Sequence, residues 1–231
     1  MQLQIFEDNY YSRPREKHRL KNKEMIRSIS VDQHEILGWI QNLYGIRRFD
    51  LDMTFSKGRF YRKGIQVPRF KMDNKPLERD VIPACATEMP FKSNSFKSII
   101  FDPPFFAGAG KKGNIKYKYG AFDSLHHLWE TYQKAAIEAY RILKPQGFFI
   151  FKCQDFVHGR QQFLIHVDII KFGQSINFFP RDLFIKTASH VPIAWNHNNQ
   201  DHARKFHCYF IVFQKKIRKV RTLGRGTFEM V

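Results

Sequence analysis

The chain has 231 residues, of which 43% are hydrophobic, and this is enough to bury a sizeable core in one α/β domain. Its formal net charge of +18 favours a polyanionic partner, since cationic side chains release counterions when they bind phosphates. No run of about 18 uncharged apolar residues and no signal-peptide pattern is present, so we expect a soluble, cytoplasmic protein without a membrane partner. Cys85, Cys153 and Cys208 lack metal-ligand spacing and are predicted to be reduced thiols.

The first part of the chain predicts a basic arm, a helix and the start of a sheet. Residues 1–30 are polar and basic and are predicted to form an irregular N-terminal arm. Apolar residues from Val31 to Leu43 recur at helical spacing, with Ser30 as the N-cap and Gly45 as the stop. Short apolar segments then alternate with helices or loops, which predicts a mainly parallel, doubly wound sheet. These segments are 48–52, 69–73, 80–84, 98–102, 147–153, 182–189 and 206–214.

Two more helices are predicted in the second half of the chain. Residues 125–143 carry a continuous apolar stripe, and residues 160–173 carry a shorter one. No helix follows segment 206–214, so we expect it to pair antiparallel with segment 182–189. Residues 31–215 are therefore predicted to be the folded domain, and residues 216–231 a basic C-terminal tail.

The tetrapeptide Asp102-Pro103-Pro104-Phe105 directly follows the apolar strand 98–101. Two prolines restrict the backbone and keep such a turn rigid. The Asp102 carboxylate and the Pro103 carbonyl are two acceptors that suit an exocyclic amine of a nucleobase, and Phe105 is placed to stack on the base. The turn therefore predicts methyl transfer onto a planar amine.

This tetrapeptide resembles motif IV of the S-adenosylmethionine (SAM)-dependent amino-methyltransferases of nucleic acids, written [Asn/Asp/Ser]-Pro-Pro-[Tyr/Phe/Trp]. Segment 141–147 resembles the Arg-x-Leu-Lys-Pro-Gly-Gly turn of SAM-dependent methyltransferases. Segments 151–155 and 202–207 resemble stretches of small phage and bacterial DNA methylases, and the order of the motifs fits the adenine-N6 side of the superfamily. The resemblance implies a Rossmann-like, seven-stranded methyltransferase sheet with an antiparallel last strand and helices on both faces. It also implies SAM as the cofactor and adenine N6 in DNA as the acceptor, with sequence specificity that is low or carried by loops.

Segment 49–58 resembles a degenerate motif I of the same superfamily, in which Asp-Pro-Phe-x-Gly-x-Gly keeps only its acid and its last glycine. The cofactor-binding residues implied there are Asp52, Thr54, Phe55, Ser56 and Gly58. Asp73 follows at the spacing of an acid that binds ribose hydroxyls. Where many relatives carry an acid for the adenine amine, this chain has Cys85 or Ala86, which leaves that contact to the backbone or to Thr87. Asp102 is also among the residues predicted to bind the cofactor.

Residues 106–122 contain four glycines together with lysines and tyrosines, and they predict a clamp in which lysines meet phosphates and tyrosines stack on bases. A base within a duplex has to be flipped out to reach Asp102. The residues predicted to bind nucleic acid are Lys111, Lys112, Lys116, Tyr117, Lys118, Tyr119, Lys152, Arg204 and Lys205.

Several alternatives remain open from the sequence. RNA adenine methylation uses the same catalytic turn, and cytosine-N4 methylation is a further possibility, although those enzymes usually carry Ser in place of Asp102. The eroded motif I also fits a catalytically silent nucleic-acid-binding partner subunit. No metal is expected, because the histidine spacing matches no zinc pattern.

Overall fold

The structure is a computed structural model that describes residues 25–105, 107, 122–189, 201–216, 220–223 and 227–230. Residues 1–24 of the predicted arm and the lysines and tyrosines of the predicted clamp lie outside the described residues. Within these ranges, no helix is long and apolar enough to cross a membrane. The same residues contain no group of three or more His, Cys, Asp or Glu side chains that could hold a metal ion.

Helices and strands alternate along the described chain. The helices are α1 (Gln33–Tyr44), α2 (Leu125–Ile142) and α3 (Ile165–Ser175). The strands are β1 (Ile29–Ser30), β2 (Leu51–Asp52), β3 (Phe70–Asp73), β4 (Ile82–Pro83), β5 (Phe96–Phe101), β6 (Leu143–Cys153), β7 (Phe156–His158), β8 (Gln161–Phe163), β9 (Phe178–Thr187), β10 (His207–Lys215), β11 (Val220–Leu223) and β12 (Thr227–Met230).

One large sheet organises the molecule, with the strand order β1-β9-β10-β6-β5-β2-β3-β4. Strand β10 is antiparallel to both of its neighbours, and the other pairings in this sheet are parallel among the described residues. The predicted doubly wound α/β fold and the antiparallel last strand are therefore confirmed. The sheet has eight strands in the described part of the chain rather than seven, because Ile29 and Ser30 of the predicted arm pair with Ile185 and Lys186.

The helices cover both faces of the sheet, as predicted. Helix α1 buries Ile36, Leu37 and Ile40 against one face, in a cluster that also contains Phe210. Helices α2 and α3 pack on the opposite face, where Phe149 belongs to the larger cluster. Apolar residues that alternate along β6 and β10 therefore supply both layers of the core.

Two helix boundaries differ from the prediction. Helix α1 is capped by Asp32, whose carboxylate accepts a hydrogen bond from the His34 backbone N–H at 2.9 Å, and not by Ser30. Its predicted end is confirmed, since Gly45 adopts a left-handed conformation with φ 65°.

The helix predicted over residues 160–173 begins only at Ile165, because the preceding residues form the β7–β8 hairpin. Gly159 and Arg160 have φ of 56° and 60°, which is the geometry of a tight two-residue hairpin turn. The Asp155 carboxylate then accepts a hydrogen bond from the His166 N–H at 3.2 Å and so satisfies one backbone donor of the first turn of α3.

The predicted C-terminal tail also contains regular backbone structure. Strands β11 and β12 pair antiparallel as a separate two-stranded sheet. Residues 220–223 and 227–230 of this segment are therefore strands.

Candidate active site

Three aspartates mark the carboxyl ends of adjacent parallel strands. Asp52 ends β2, Asp73 ends β3, and Asp102 directly follows β5. Strand β2 lies between β3 and β5, so the three carboxyl groups share one edge of the sheet. In open α/β sheets, ligands bind beyond this edge at the point where the strand order reverses. The strand order reverses here between β2 and β5, which makes this edge the candidate active site.

The Asp102-Pro103-Pro104-Phe105 turn is held at both ends by hydrogen bonds. The Asp102 backbone N–H donates to Thr54 Oγ1 at 2.8 Å, which ties the turn to the loop after β2. The Tyr132 hydroxyl, from the middle of α2, donates to the Pro104 carbonyl at 2.7 Å. Tyr132 is fully buried, so this bond fixes the turn from inside the core. The sequence identified Tyr132 only as a member of an apolar helical stripe.

Lys152 pairs with Asp102 across neighbouring strands. Phe101 and Phe151 are opposite each other in the β5–β6 ladder, so Asp102 and Lys152 follow at the same level. The Lys152 ammonium lies 3.1 Å from Asp102 Oδ2. Lys152 is only 8% exposed, and its ammonium also lies 5.5 Å from the centroid of the Phe105 ring. The structure therefore places this lysine, which is predicted to bind nucleic acid, beside the Asp102 turn, where it contacts a carboxylate.

The Asp102 carboxyl experiences two opposing influences. Burial raises the pKa of Asp102, and the charge and hydrogen bond of Lys152 lower it again. The net direction is a raised pKa. The site thus contains a desolvated carboxylate whose ionised form depends on its lysine partner.

Asp52 is the most deeply buried acid of the edge, at 3% exposure. Its Oδ2 accepts a hydrogen bond from the Tyr61 hydroxyl at 2.5 Å, and its Oδ1 accepts one from the Thr54 backbone N–H at 2.8 Å. The pKa of Asp52 is raised to about 7, mainly by burial and also by the charges of Asp102 and Asp73, while the two hydrogen bonds act in the opposite direction. Nothing in the sequence pattern singled out Tyr61 as the partner of Asp52.

The loop that resembles motif I is organised around Phe55 and Gly58. Gly58 has φ 59°, and a Cβ there would lie 2.6 Å from Phe55 Cζ, so the position requires glycine on both counts. The ring of Phe55 stacks on that of Tyr61 at 5.7 Å between centroids. The Ser56 backbone N–H donates to Asp73 Oδ2 at 2.9 Å, which joins this loop to the end of β3. The predicted cofactor residues of the loop are therefore linked to both neighbouring acids.

The remaining described residues of the predicted sites are Thr87, Arg204 and Lys205. Thr87 is half-buried after β4, and its hydroxyl lies 3.0 Å from Cys85 Sγ. Arg204 is exposed in the segment that leads into β10. The Lys205 carbonyl accepts a hydrogen bond from Gln154 Nε2 at 3.4 Å, just beyond the end of β6. Arg204 and Lys205 thus lie along the same edge of the sheet as Lys152.

The buried Asp52 gives protein stability a defined pH dependence. Its pKa is about 7 in the folded protein and 3.8 as the ordinary value, so between these limits the folded state binds more protons than the unfolded state. Stability is therefore expected to fall as pH rises from about 4 to about 7. Asp52→Asn removes this titration, and the asparagine can still accept from Thr54 and donate to Tyr61.

Urea unfolding of Asp52→Asn and wild type over this pH range is the measurement. The variant is expected to gain stability relative to wild type with rising pH, by at most about 1.4 kcal/mol for each pH unit. Asp123→Asn, at a carboxyl that is 80% exposed, is the control. A constant difference between Asp52→Asn and wild type across the range would contradict the assignment.

Several solved structures are similar to this chain. Among solved structures, a proposed DNA modification methylase from Thermus thermophilus is 19% identical, with a TM-score of 0.41; the match covers 62% of this chain and 57% of that one. The same protein in complex with SAM is 20% identical, with a TM-score of 0.40 and coverages of 59% and 55%. A proposed sarcosine dimethylglycine methyltransferase from Galdieria sulphuraria is 12% identical, with a TM-score of 0.50 and coverages of 79% and 85%.

At these identities the likeness to solved structures concerns the fold alone, and this chain spans little more than half of the Thermus protein. No curated protein matches this chain. The family described as DNA methylase matches residues 96–226, which include the Asp102 turn and exceed half of the chain. The protein belongs to the DNA methylase family.

Proposed function

We propose that the protein is a SAM-dependent methyltransferase that methylates adenine N6 in DNA. The observation that carries the proposal is the Asp102-Pro103-Pro104-Phe105 turn, held by Thr54 and Tyr132 at the edge of the sheet where the strand order reverses. Family membership supports a DNA substrate. Asp at position 102 favours adenine, since the cytosine-N4 enzymes of the superfamily usually carry Ser at this position of the turn.

The residues at the edge of the sheet fit SAM as a cationic ligand. The charges of Asp73 and Asp102 both raise the pKa of Asp52, so three acids crowd one region that a positive ligand would relieve. Asp73 is half-buried at the end of β3, and its oxygens, which accept from the Ser56 and Lys75 backbone N–H groups, keep lone pairs that we propose accept from the ribose hydroxyls. Asp52 is only 3% exposed and accepts from Thr54 and Tyr61, so it acts through its charge. SAM, when bound, supplies an electrophilic methyl group on a positively charged sulfur.

The chain's own residues then position the base and handle its proton. Phe105 stacks on the flipped adenine, because every base has a π face that an aromatic ring can bind. The Asp102 carboxylate and the Pro103 carbonyl accept hydrogen bonds from the two N–H groups of N6. These hydrogen bonds draw the nitrogen lone pair out of conjugation with the adenine ring. The aligned nitrogen attacks the methyl carbon directly, and no covalent enzyme intermediate is needed. Positioning therefore supplies most of the catalysis. Asp102 accepts the proton that the methylated nitrogen releases.

The basic side chains support DNA as the partner. Arg204 and Lys205 lie at the same edge as the catalytic turn and would contact phosphates next to the flipped base. The lysines and tyrosines of residues 111–119 are proposed to clamp the strand. Such contacts carry little base information, so we propose low sequence specificity.

The test is nucleoside mass spectrometry after incubation with methyl-labelled SAM and unmethylated DNA or RNA. Labelled N6-methyldeoxyadenosine from DNA is the expected product, and Asp102→Ala is the matched control. Label in N4-methyldeoxycytidine or in RNA would transfer the proposal to that substrate. Absence of both label and SAM binding, with salt-sensitive DNA binding retained, would indicate a silent binding subunit instead.

A further inference from the structure

We propose that Lys152 is the positioning residue of this site: it holds Asp102 ionised and occupies Oδ2, so that Oδ1 alone receives the amine of the base. The inference rests on the proposed function and extends it to a residue outside the tetrapeptide. Lys152 Nζ lies 3.1 Å from Asp102 Oδ2, and its side chain is 10% exposed. Such a buried cation needs a specific partner, and Asp102 is the carboxylate that it contacts.

Aromatic rings from three parts of the fold surround the Lys152 ammonium. It lies 4.6 Å from the ring centroid of Phe60, 5.5 Å from that of Phe105 and 5.4 Å from that of Phe210. Ring faces attract an ammonium but cannot replace a carboxylate as hydrogen-bond acceptor. The cage formed by these three residues therefore restricts where the flexible lysine can reach and directs its hydrogen bond to Asp102.

The geometry divides the two oxygens of Asp102 between two donors. Lys152 donates to Oδ2, and the backbone of Asp102 is fixed by its N–H bond to Thr54 Oγ1. No donor to Oδ1 is found among the residues that the structure describes, and we assign this oxygen to the amine of the substrate. An ionised carboxylate only accepts, whereas a protonated one presents an O–H that would face the N–H of the amine. The reaction therefore needs Asp102 in its ionised form, and the contact with Lys152 favours that form.

The surroundings of Asp102 leave this task to Lys152. Burial raises the pKa of Asp102, and Lys152 is the influence that lowers it. The other titratable groups that face Asp102 from the packed elements carry negative charge or none, and the pKa of each is itself raised by burial. These groups are Asp52, Tyr61, Tyr132 and Cys208. Among the described groups around Asp102, Lys152 is thus the compensating cation.

The first test measures the Asp102 titration directly and needs neither cofactor nor DNA. The carboxyl carbon of Asp102, assigned by its loss in Asp102→Asn, is followed by carbon-13 NMR against pH. In Lys152→Met the Asp102 pKa is expected to rise by about one unit or more. Lys152→Gln keeps a hydrogen-bond donor without the charge and should show the same direction, which covers the case in which the methionine variant does not fold.

Two further variants separate charge from shape. Lys152→Arg retains the positive charge and is expected to keep the Asp102 titration near that of wild type. Lys144→Met removes an exposed lysine at the opposite end of β6 and should leave the titration unchanged. An unchanged Asp102 titration in both Lys152→Met and Lys152→Gln would overturn the inference, and so would an arginine variant that behaves like the methionine variant.

The second test is the pH dependence of methyl transfer. In Lys152→Gln the acidic limb of the kcat/KM profile should move to higher pH by the same amount as the NMR titration, because only ionised Asp102 accepts the amine. A uniform loss at every pH would assign Lys152 a merely structural role and overturn the inference. Failure of the wild type to methylate any substrate would contradict the proposed function instead, while the NMR result would still report on the pair.

Discussion

Asp102→Ala is expected to lower the rate of methyl transfer by about 10²-fold to 10⁴-fold, the range typical of a lost proton-accepting group. The alanine removes the acceptor that aligns the amine and leaves the buried Lys152 ammonium without its carboxylate partner. Two effects therefore combine: the base amine loses its orientation, and an uncompensated cation remains beside it. Single-turnover labelling with enzyme in excess over DNA measures this rate without interference from product release.

Asp102→Asn gives a sharper version of the same prediction, because asparagine is an accepted residue in the superfamily pattern that the turn resembles. In this chain Lys152 can only donate, so the asparagine would turn its carbonyl toward Lys152 and its NH2 group toward the amine of the base. Two donors then face each other. We expect Asp102→Asn to lose nearly as much activity as Asp102→Ala.

Combining Asp102→Asn with Lys152→Met should restore part of the activity, since the amide carbonyl is then free to face the base. SAM binding by calorimetry is the control, because a variant that no longer binds the cofactor says nothing about the amine. A single variant Asp102→Asn with wild-type activity would contradict the assigned division of the two Asp102 oxygens.

The sequence predicted where the acidic residues of this site lie better than it predicted their hydrogen-bond partners. The order of apolar segments predicted the sheet, and parallel strands bring their carboxyl ends to one edge, so Asp52, Asp73 and Asp102 were expected together. Their partners depend on register between distant segments. Lys152 meets Asp102 across a separation of 50 residues, and Tyr61 reaches Asp52 through a loop without regular pattern.

The missed β7–β8 hairpin has a similar physical origin. Its apolar residues Phe156 and Phe163 stack at 5.5 Å and also fit a helical spacing, so periodicity alone could not assign them. The left-handed conformations of Gly159 and Arg160 decide the outcome, and arginine at such a position gives no sequence signal. Short segments next to a site are thus the part of this fold that local pattern predicts least.

Phe149→Ala is expected to lower the free energy of unfolding by about 3–5 kcal/mol, the upper range for a single core substitution. Phe149 lies in β6 at the centre of the sheet and is completely buried. Its ring packs against those of Phe101, Phe151, Phe178 and Phe213, at 5.5 to 6.4 Å between centroids. These neighbours come from β5, β9 and β10 together with β6 itself, and they cannot all move to fill the cavity.

Urea denaturation followed by circular dichroism measures this loss. Ile137→Ala on the exposed side of α2 is the control, because Ile137 is 50% exposed and its removal should change stability by no more than about 0.5 kcal/mol. Equal losses in the two variants would show that the Phe149 cluster is not the core that holds β5 beside β6. Because Asp102 follows β5 and Lys152 lies near the end of β6, residual methyl transfer in folded Phe149→Ala should decrease together with the integrity of that pairing.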